Sequence, residues 1–178
     1  MKNSIFLVNK IQKFIYNSNL FYFDQSILVA VSGGQDSICL LMIFLQLRNQ
    51  FNLNLGIMYC NHLWNKTSFY QCLHMLKISY IFHKSFYFPL FLKQTVNETH
   101  ARKERYKFLV RIASFYNYKK ISTGHNNSDC IETLFLNLCR GSSQYGLTSL
   151  LSKRTINNKF FYSIFLNNYD LYEISKIK

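Results

Sequence analysis

Apolar residues along the chain follow helix-like and strand-like spacing in turn. Ile5–Tyr16 carries apolar residues at helical intervals, and Asn17-Ser18-Asn19 ends that predicted helix. Ser26–Val31 is a continuous apolar run of strand length, which is typical of a parallel strand buried on both faces. A glycine pair follows this run, and the pattern then predicts a helix from about Asp36 to Gln50.

The alternation continues to about Leu151 and weakens after it. Strands alternating with helices indicate an α/β fold, in which a parallel twisted sheet carries helices on both faces. We interpret residues 1–178 as a single domain, best supported over residues 20–151. The predicted strands are Leu53–Cys60, Tyr80–His83, Lys120–Thr123 and Phe160–Ile164, and the predicted helical segments are Asn65–Leu76, Asn97–Tyr116, Ser128–Cys139 and Asp170–Lys176.

Polar segments follow three of the predicted strands. They are Ser32–Ser37, Asn61-His62 and Gly124–Asp129. Right-handed crossovers place the carboxyl ends of parallel strands at one edge of the sheet, where ligands of such sheets bind. The three segments are therefore expected to converge on a binding site at that edge.

The first of these segments has the composition of a phosphate-binding loop. Two glycines allow a sharp turn and a close approach of the backbone to a ligand, and the helix N-terminus after them offers unpaired N–H groups. Hydroxyl groups add further donors, and an acid beside phosphates is consistent with a Mg²⁺ ion between them. The alternative is an ordinary glycine turn. The loop residues are Ser32, Gly33, Gly34, Gln35, Asp36 and Ser37, and Asp36 is the candidate metal ligand.

A second candidate group is a pair of acids near the start of a predicted helix. Asp129 and Glu132 are three residues apart, so both project from one helix face. Two carboxylates there could bind an ammonium group or a metal ion. The alternative is helix capping, with Ser128 as the N-cap and the acids in the first turn.

A third candidate group is a pair of arginines on the predicted helix at Asn97–Tyr116. Arg102 and Arg105 share a helix face and could neutralise phosphate charge in a transition state. The alternative is pairing with Glu98 and Glu104 on the helix surface.

The charge balance favours a polyanionic partner. The chain has 21 lysines and arginines against 8 acids, a formal net charge of +13. Seven of the basic residues lie between Arg102 and Lys120. Nucleic acid is the functional interpretation of this cluster, and a solvated basic face is the alternative.

Cysteine usage and codon bias bear on the compartment. The five cysteines form no C-x-x-C pair, which favours buried thiols in a reducing environment over disulfides or a zinc ribbon. No apolar run reaches membrane-spanning length. The chain has 17 phenylalanines and 13 tyrosines but only 6 glycines and 1 proline, as AT-rich codons produce. This bias predicts a reduced organellar or endosymbiont genome, such as that of a plastid, which would place the protein in the plastid stroma, or of an AT-rich bacterium, which would place it in the cytoplasm.

The motifs together resemble a known enzyme family. Ser-Gly-Gly-x-Asp-Ser after a strand is similar to the signature of PP-loop ATP pyrophosphatases, which have the adenine-nucleotide alpha-hydrolase-like fold. The order and spacing of the motifs from about Ser26 to Leu151 resemble the catalytic domain of tRNA(Ile)-lysidine synthases. The matching stretches are Asn61-His62, Ala101-Arg102-Lys103-Glu104-Arg105-Tyr106, Gly124 to Thr133, Leu138 to Ser142 and Gly146-Leu147.

This resemblance implies an ATP-dependent carbon–nitrogen ligase. The C2 oxygen of the wobble cytidine in a tRNA(Ile) with a CAU anticodon would be adenylated, and the ε-amine of free L-lysine would then displace AMP. By resemblance, the Ser32–Ser37 loop holds the β and γ phosphates of ATP, and Asp36 holds Mg²⁺. Arg105, with Arg102, stabilises charge at the α-phosphate, and Asp129 and Glu132 bind the lysine ammonium.

The chain also departs from this family pattern. Ser128 stands where the family has the first of two aspartates, Cys130 replaces a glutamine, and Tyr162-Ser163-Ile164 replaces an Arg-Pro-Leu run. The C-terminal tRNA-binding domains of the family are not in this sequence. Two alternatives therefore stay open: another PP-loop enzyme that modifies tRNA, such as a thiolase, and an inactive tRNA-binding remnant. The sequence leaves the oligomeric state open.

Overall fold

A computed structural model shows an α/β domain built on a central parallel strand. It describes residues 22–59, 67–89, 98–124, 153–156 and 159–163, together with residues 9, 12, 13, 15, 16 and 139. The described strands are β1 (Ser26–Val31), β2 (Asn54–Tyr59), β3 (Ser85–Tyr87), β4 (Lys120–Thr123), β5 (Lys153–Ile156) and β6 (Lys159–Ser163). The described helices are α1 (Gln35–Phe51), α2 (Thr67–Ile81) and α3 (Glu98–Phe115).

The described strands form one sheet in the order β3-β2-β1-β4-β6-β5. Every neighbouring pair is parallel except β5 with β6, which are antiparallel at one edge. In the register around β1, Val29 lies between Ile57 of β2 and Ser122 of β4. Strand β1 therefore has hydrogen-bonded neighbours on both sides, as its uninterrupted apolar sequence predicts.

Two apolar layers cover the two faces of the sheet. Ile27, Val29 and Val31 of β1 pack in the cluster that contains the buried side chains of α1 and Met75 of α2. Leu28 of β1 packs on the opposite face, in a cluster with residues of α3. The predicted arrangement of helices on both faces of a parallel sheet is thus confirmed, because alternate residues of a strand point to opposite faces.

Each described helix ends at a non-glycine residue with positive φ. These residues are Asn52 after α1, His83 after α2 and Asn117 after α3, with φ of 49°, 51° and 57°. In each case the next backbone N–H donates to a carbonyl five residues earlier, as from Leu53 to Arg48 at 2.8 Å. This hydrogen bond is the Schellman arrangement, which usually employs glycine. Asparagine tolerates the left-handed region better than most residues, which suits a chain with only 6 glycines.

The predicted elements mostly match the structure. Strand β1 and strand β4 have the predicted bounds, and α1, β2, α3 and β6 are each within two residues of theirs. Residues 9, 12, 13, 15 and 16 are helical, in agreement with the first predicted helix, and Ile15 is buried. The helices predicted at Ser128–Cys139 and Asp170–Lys176 lie outside the described residues, apart from Cys139, which is helical.

The strand predicted at Tyr80–His83 is wrong. Helix α2 continues through Ile81, and strand β3 begins only at Ser85. The apolar run extends the helix because Ile78 and Phe82, four residues apart, both pack against the core cluster. The hydrogen bonds from His83 to Tyr80 and from Lys84 to Ser79 then close the helix end. Strand β5 was not predicted.

In the described part of the chain, no helix combines the length and the apolar character needed to cross a membrane.

Gly56 of β2 makes room for the ring of Tyr118. A Cβ atom at position 56 would meet the hydroxyl oxygen of Tyr118 and would lie 2.5 Å from its Cζ atom. We expect Gly56→Ala to lower the free energy of unfolding by about 1–3 kcal/mol, since added atoms in a filled core force neighbours to shift. Denaturant unfolding measures this loss. The cost of Gly56→Ala should fall in a Tyr118→Leu background, and strictly additive effects in the two backgrounds would contradict the contact.

Candidate functional site

A cleft opens where β1 and β4 end. Its volume is about 430 Å³, counting the solvent-open space. Strand ends, the loop after β1 and helix α3 all contribute walls. Ser32 and Ser37 of the first polar segment therefore meet Gly124 of the third at the carboxyl edge, and the rest of the third segment lies outside the described residues. The lining residues are Ala30, Val31, Ser32, Ser37, Arg105, Tyr106, Leu109, Thr123 and Gly124.

The loop after β1 directs a helix N-terminus into this region. Gly33 has a φ of 87°, which lets the chain reverse direction immediately after the strand. Gly34 is the N-cap of α1, in extended conformation, and no side chain caps the helix. A helix N-terminus in this position suits an anion, because its N–H groups point out of the helix and the helix dipole adds a partial positive charge there.

The two serines of the loop hold its shape. The Ser37 hydroxyl donates to the Gly34 carbonyl at 2.8 Å and accepts from the Ser32 N–H at 3.2 Å. The two serine oxygens are also 3.2 Å apart. Because the single proton of Ser37 is directed at Gly34, Ser32 must be the donor between the two hydroxyls. Ser37 is buried, whereas Ser32 is exposed. Ser37 therefore closes the loop, and Ser32 is the hydroxyl that a ligand can reach.

Gln71 and Gly124 pack against the loop between Ser32 and Ser37. A Cβ atom at Gly33 would lie 2.9 Å from the side-chain oxygen of Gln71 on α2. That oxygen is also 3.3 Å from the donating hydroxyl of Tyr59, at the end of β2. On the other side, a Cβ atom at Gly124 would lie 3.0 Å from the Cα atom of Ser37. Gln71 and Gly124 therefore pack closely against the two sides of the loop.

The two candidate arginines have different surroundings. Arg105 lines the cleft with Ser32 and Ser37. The guanidinium of Arg102 instead lies over the ring of Tyr106, with its carbon 6.0 Å from the ring centroid, and is not among the lining residues. The structure therefore brings Arg105 to the loop. Arg102 contacts Tyr106, which itself lines the cleft.

Asp36 is half-buried in the first turn of α1, directly before Ser37. Among the described residues, no group of three or more His, Cys, Asp or Glu side chains could hold a metal ion. A single carboxylate beside a helix N-terminus that could bind phosphate nevertheless fits Mg²⁺, because this ion takes one or two protein carboxylates and completes its shell with phosphates and water. Asp36 is the residue that would hold it.

Several predicted residues lie outside the described part of the chain, namely Asp129, Glu132, Asn61 and His62. Conversely, the cleft includes residues that were not predicted as site residues, among them Tyr106, Leu109 and Thr123. Thr123 could have been found, since it is the last residue of a strand whose carboxyl end meets the site. Tyr106 follows Arg105 directly in the arginine motif. No sequence pattern indicates Gln71.

Comparison with known proteins identifies close relatives. Residues 5–164 match the PP-loop domain family. The chain is 41% identical over 155 residues to "tRNA(Ile)-lysidine synthase, chloroplastic" of Staurastrum punctulatum, covering 87% of this chain and 31% of that protein. It is 39% identical over 147 residues to the tRNA(Ile)-lysidine synthase of Nostoc sp. (strain PCC 7120 / SAG 25.82 / UTEX 2576), covering 83% of this chain and 43% of the relative. The chain thus spans about a third to two fifths of these relatives.

A solved structure supports the fold. The U34-tRNA thiolase NcsA from Methanococcus maripaludis, determined with its [4Fe-4S] cluster, superposes with a TM-score of 0.76. The match covers 96% of this chain and 62% of the thiolase chain, at 14% sequence identity. At this identity, the likeness concerns the fold alone.

The loop glycines provide a matched pair of substitutions. Gly33→Ala should destabilise the protein by about 1–2 kcal/mol, because an L-residue is strained at positive φ, and the new Cβ would also displace Gln71. Gly34 has a φ of −74°, and a Cβ there would meet its nearest neighbour only at 3.5 Å. Gly34→Ala should therefore change the unfolding free energy much less. Equal losses for the two variants in thermal or denaturant unfolding would contradict this geometry.

Proposed function

The chain belongs to the PP-loop domain family, whose members bind ATP, and we propose that it is the catalytic part of a tRNA(Ile)-lysidine synthase. In this proposal, it joins free L-lysine to C2 of the wobble cytidine in a tRNA(Ile) with a CAU anticodon. ATP is consumed, and pyrophosphate and AMP are released. The names of the relatives and the order of the motifs support this choice of substrates.

The observation that carries the proposal is the cleft itself. An uncapped helix N-terminus, an accessible hydroxyl and an arginine converge there at the carboxyl end of a buried parallel strand. These groups are donors and positive charges, which is what a triphosphate requires. The loop would hold the β and γ phosphates of ATP through the N–H groups of α1, and the Ser32 hydroxyl would turn from Ser37 to a phosphate oxygen.

The same residues suit the first chemical step. The C2 oxygen of cytidine attacks the α-phosphorus, the bond from that phosphorus to the bridging oxygen breaks, and pyrophosphate leaves. Negative charge accumulates around the α-phosphate in the transition state. Arg105, which lines the same cleft as the loop, would stabilise that charge. Mg²⁺, held by Asp36, would supply further positive charge to the phosphates.

In the second step, the ε-amine of lysine attacks C2 and AMP departs. A free lysine amine has a pKa of about 10.4, so most of it is protonated at neutral pH and needs a base. We assign Asp129 and Glu132 to bind the ammonium, and one of them to accept its proton. The basic residues from Arg102 to Lys120 would contact the tRNA backbone. We further propose the plastid stroma as the compartment, in line with the chloroplastic relatives.

Labelled lysine provides the direct test. With ATP present, the chain should incorporate [¹⁴C]lysine into a tRNA(Ile) transcript with a CAU anticodon and not into one whose wobble cytidine is replaced by uridine. Arg105→Gln should lower turnover by about 10²–10³-fold, the usual cost of removing one group that stabilises transition-state charge. Arg102→Gln, three residues away on the same helix, should cost much less.

Each other outcome has a defined meaning. ATP–pyrophosphate exchange that depends on tRNA, without lysine incorporation, would favour another PP-loop tRNA-modifying activity, such as a thiolase. tRNA binding with neither exchange nor incorporation would identify an inactive remnant. Equal effects of Arg105→Gln and Arg102→Gln would refute the role assigned to Arg105.

Glu132→Gln tests the assignment of the lysine site. It should raise the KM for lysine or lower kcat while leaving ATP affinity unchanged, because in this assignment the lost charge would pair with the ammonium and not with the phosphates. Steady-state kinetics with lysine and ATP varied in turn measure the two effects. Unchanged lysine parameters would mean that Glu132 only caps a helix.

A further inference from the structure

A second open groove lies between the end of β3 and the C-terminal half of α3, and it shares no lining residue with the cleft. Its volume is about 890 Å³, counting the solvent-open space. Aromatic rings form much of its wall. The Tyr116 ring lies between two others, with centroids 4.6 Å from Tyr87 and 4.9 Å from Phe115. Phe115 is 78% exposed. Tyr116 is 51% exposed, so the groove presents these two rings to solvent beside the half-buried ring of Tyr87.

A row of cations leads away from this groove along α3. Arg111 is part of the groove wall and is exposed. Lys107 and Lys103 precede it by one and two helical turns and are also exposed, so successive cations are separated by about 6 Å along the helix axis. The Lys107 ammonium is 2.7 Å from Glu104, and this hydrogen bond lowers the pKa of the Glu104 carboxyl. The row keeps a net positive charge despite that pair.

We propose that this aromatic groove binds an unpaired nucleobase of RNA, with Arg111 and the two lysines contacting the phosphates beside it. Single-stranded RNA is recognised by aromatic faces that stack on bases, together with cations that follow the backbone. An apolar peptide would satisfy the rings but not the cation row, and an acidic peptide would satisfy the cations but not the exposed rings. Both features are met by one strand of RNA.

The proposal rests on the proposed function in that the RNA is the tRNA substrate. Helix α3 connects the two sites, since Arg105 lines the cleft and Arg111 lines the groove. Six residues of helix separate them by about 9 Å along the axis. A base held in the groove would therefore keep its strand close to the cleft, and the groove would determine which part of the tRNA reaches it.

Binding of a hairpin RNA with 2-aminopurine in its unpaired loop tests the groove. Phe115→Ser should weaken binding about ten-fold, in line with stacking on one base, and should reduce the quenching of 2-aminopurine. Tyr80→Ser is the matched control, because Tyr80 is 80% exposed on α2 and lies outside the groove. Phe115→Trp should retain binding.

The cation row has its own test. Arg111→Gln should reduce the salt dependence of RNA binding, and Lys77→Gln, which changes an exposed residue of α2, should leave that salt dependence unchanged.

Three results would overturn the inference: equal affinity of the Phe115→Ser and Tyr80→Ser variants, equal competition by duplex RNA of the same length, and displacement of the hairpin by polyglutamate at equal charge. The last result would identify an acidic protein as the partner.

Lysine incorporation by the unmodified chain separates this inference from the proposed function. Incorporation with an unchanged tRNA KM in Phe115→Ser refutes the groove alone. RNA binding that depends on Phe115, without incorporation, refutes the lysine transfer alone.

Discussion

Strand β1 is held on all four sides, and the position of the site depends on that constraint. It has hydrogen-bonded strands at both edges and apolar layers on both faces. A shift in its register by one residue would exchange its two buried faces, so its carboxyl end is fixed in space. The loop from Ser32 to Ser37 begins there, and α1, whose own side chains are largely buried, fixes the other end. Hydrogen-bond donors held in this way need little reorganisation when charge develops on a ligand.

Helix α3 is the second element on which the sites depend, because its orientation about its own axis determines which of its side chains face the cleft and which face the groove. Leu109 and Ala113 are fully buried in the cluster beneath the sheet. With those two residues facing inward, Arg105 is directed to the cleft, whereas Arg111 lies against the end of β3. The burial of Leu109 and Ala113 thus fixes the orientation of the helix, which directs Arg105 and Arg111 into different sites. Arg111 is only six residues from Arg105 on this helix, yet the two side chains have different neighbours.

Much of the fold was predictable from local patterns. A continuous apolar run, a glycine pair and helical spacing after it were enough to locate β1 and α1, because burial on both faces and a sharp turn each require particular residue types. Local patterns were insufficient at Tyr80–His83. A short apolar run suits a strand or a buried helix end equally well, and the decision came from the packing of Phe82 against the core and from the left-handed conformation of His83.

The sequence by itself determined the chemistry of the loop, the class of fold and the approximate place of the site, since these depend on residue types at short spacing. Only the tertiary structure decided which side chains meet there. It brought Arg105 to the cleft and left Arg102 against Tyr106, and it gave the Ser37 hydroxyl to the loop rather than to a ligand. It also placed Gln71 of α2 against Gly33. The meeting of Arg105 with the loop serines and of Gln71 with Gly33 joins residues far apart in the chain, so it depends on how the helices pack on the sheet and not on the order of the residues within any one motif.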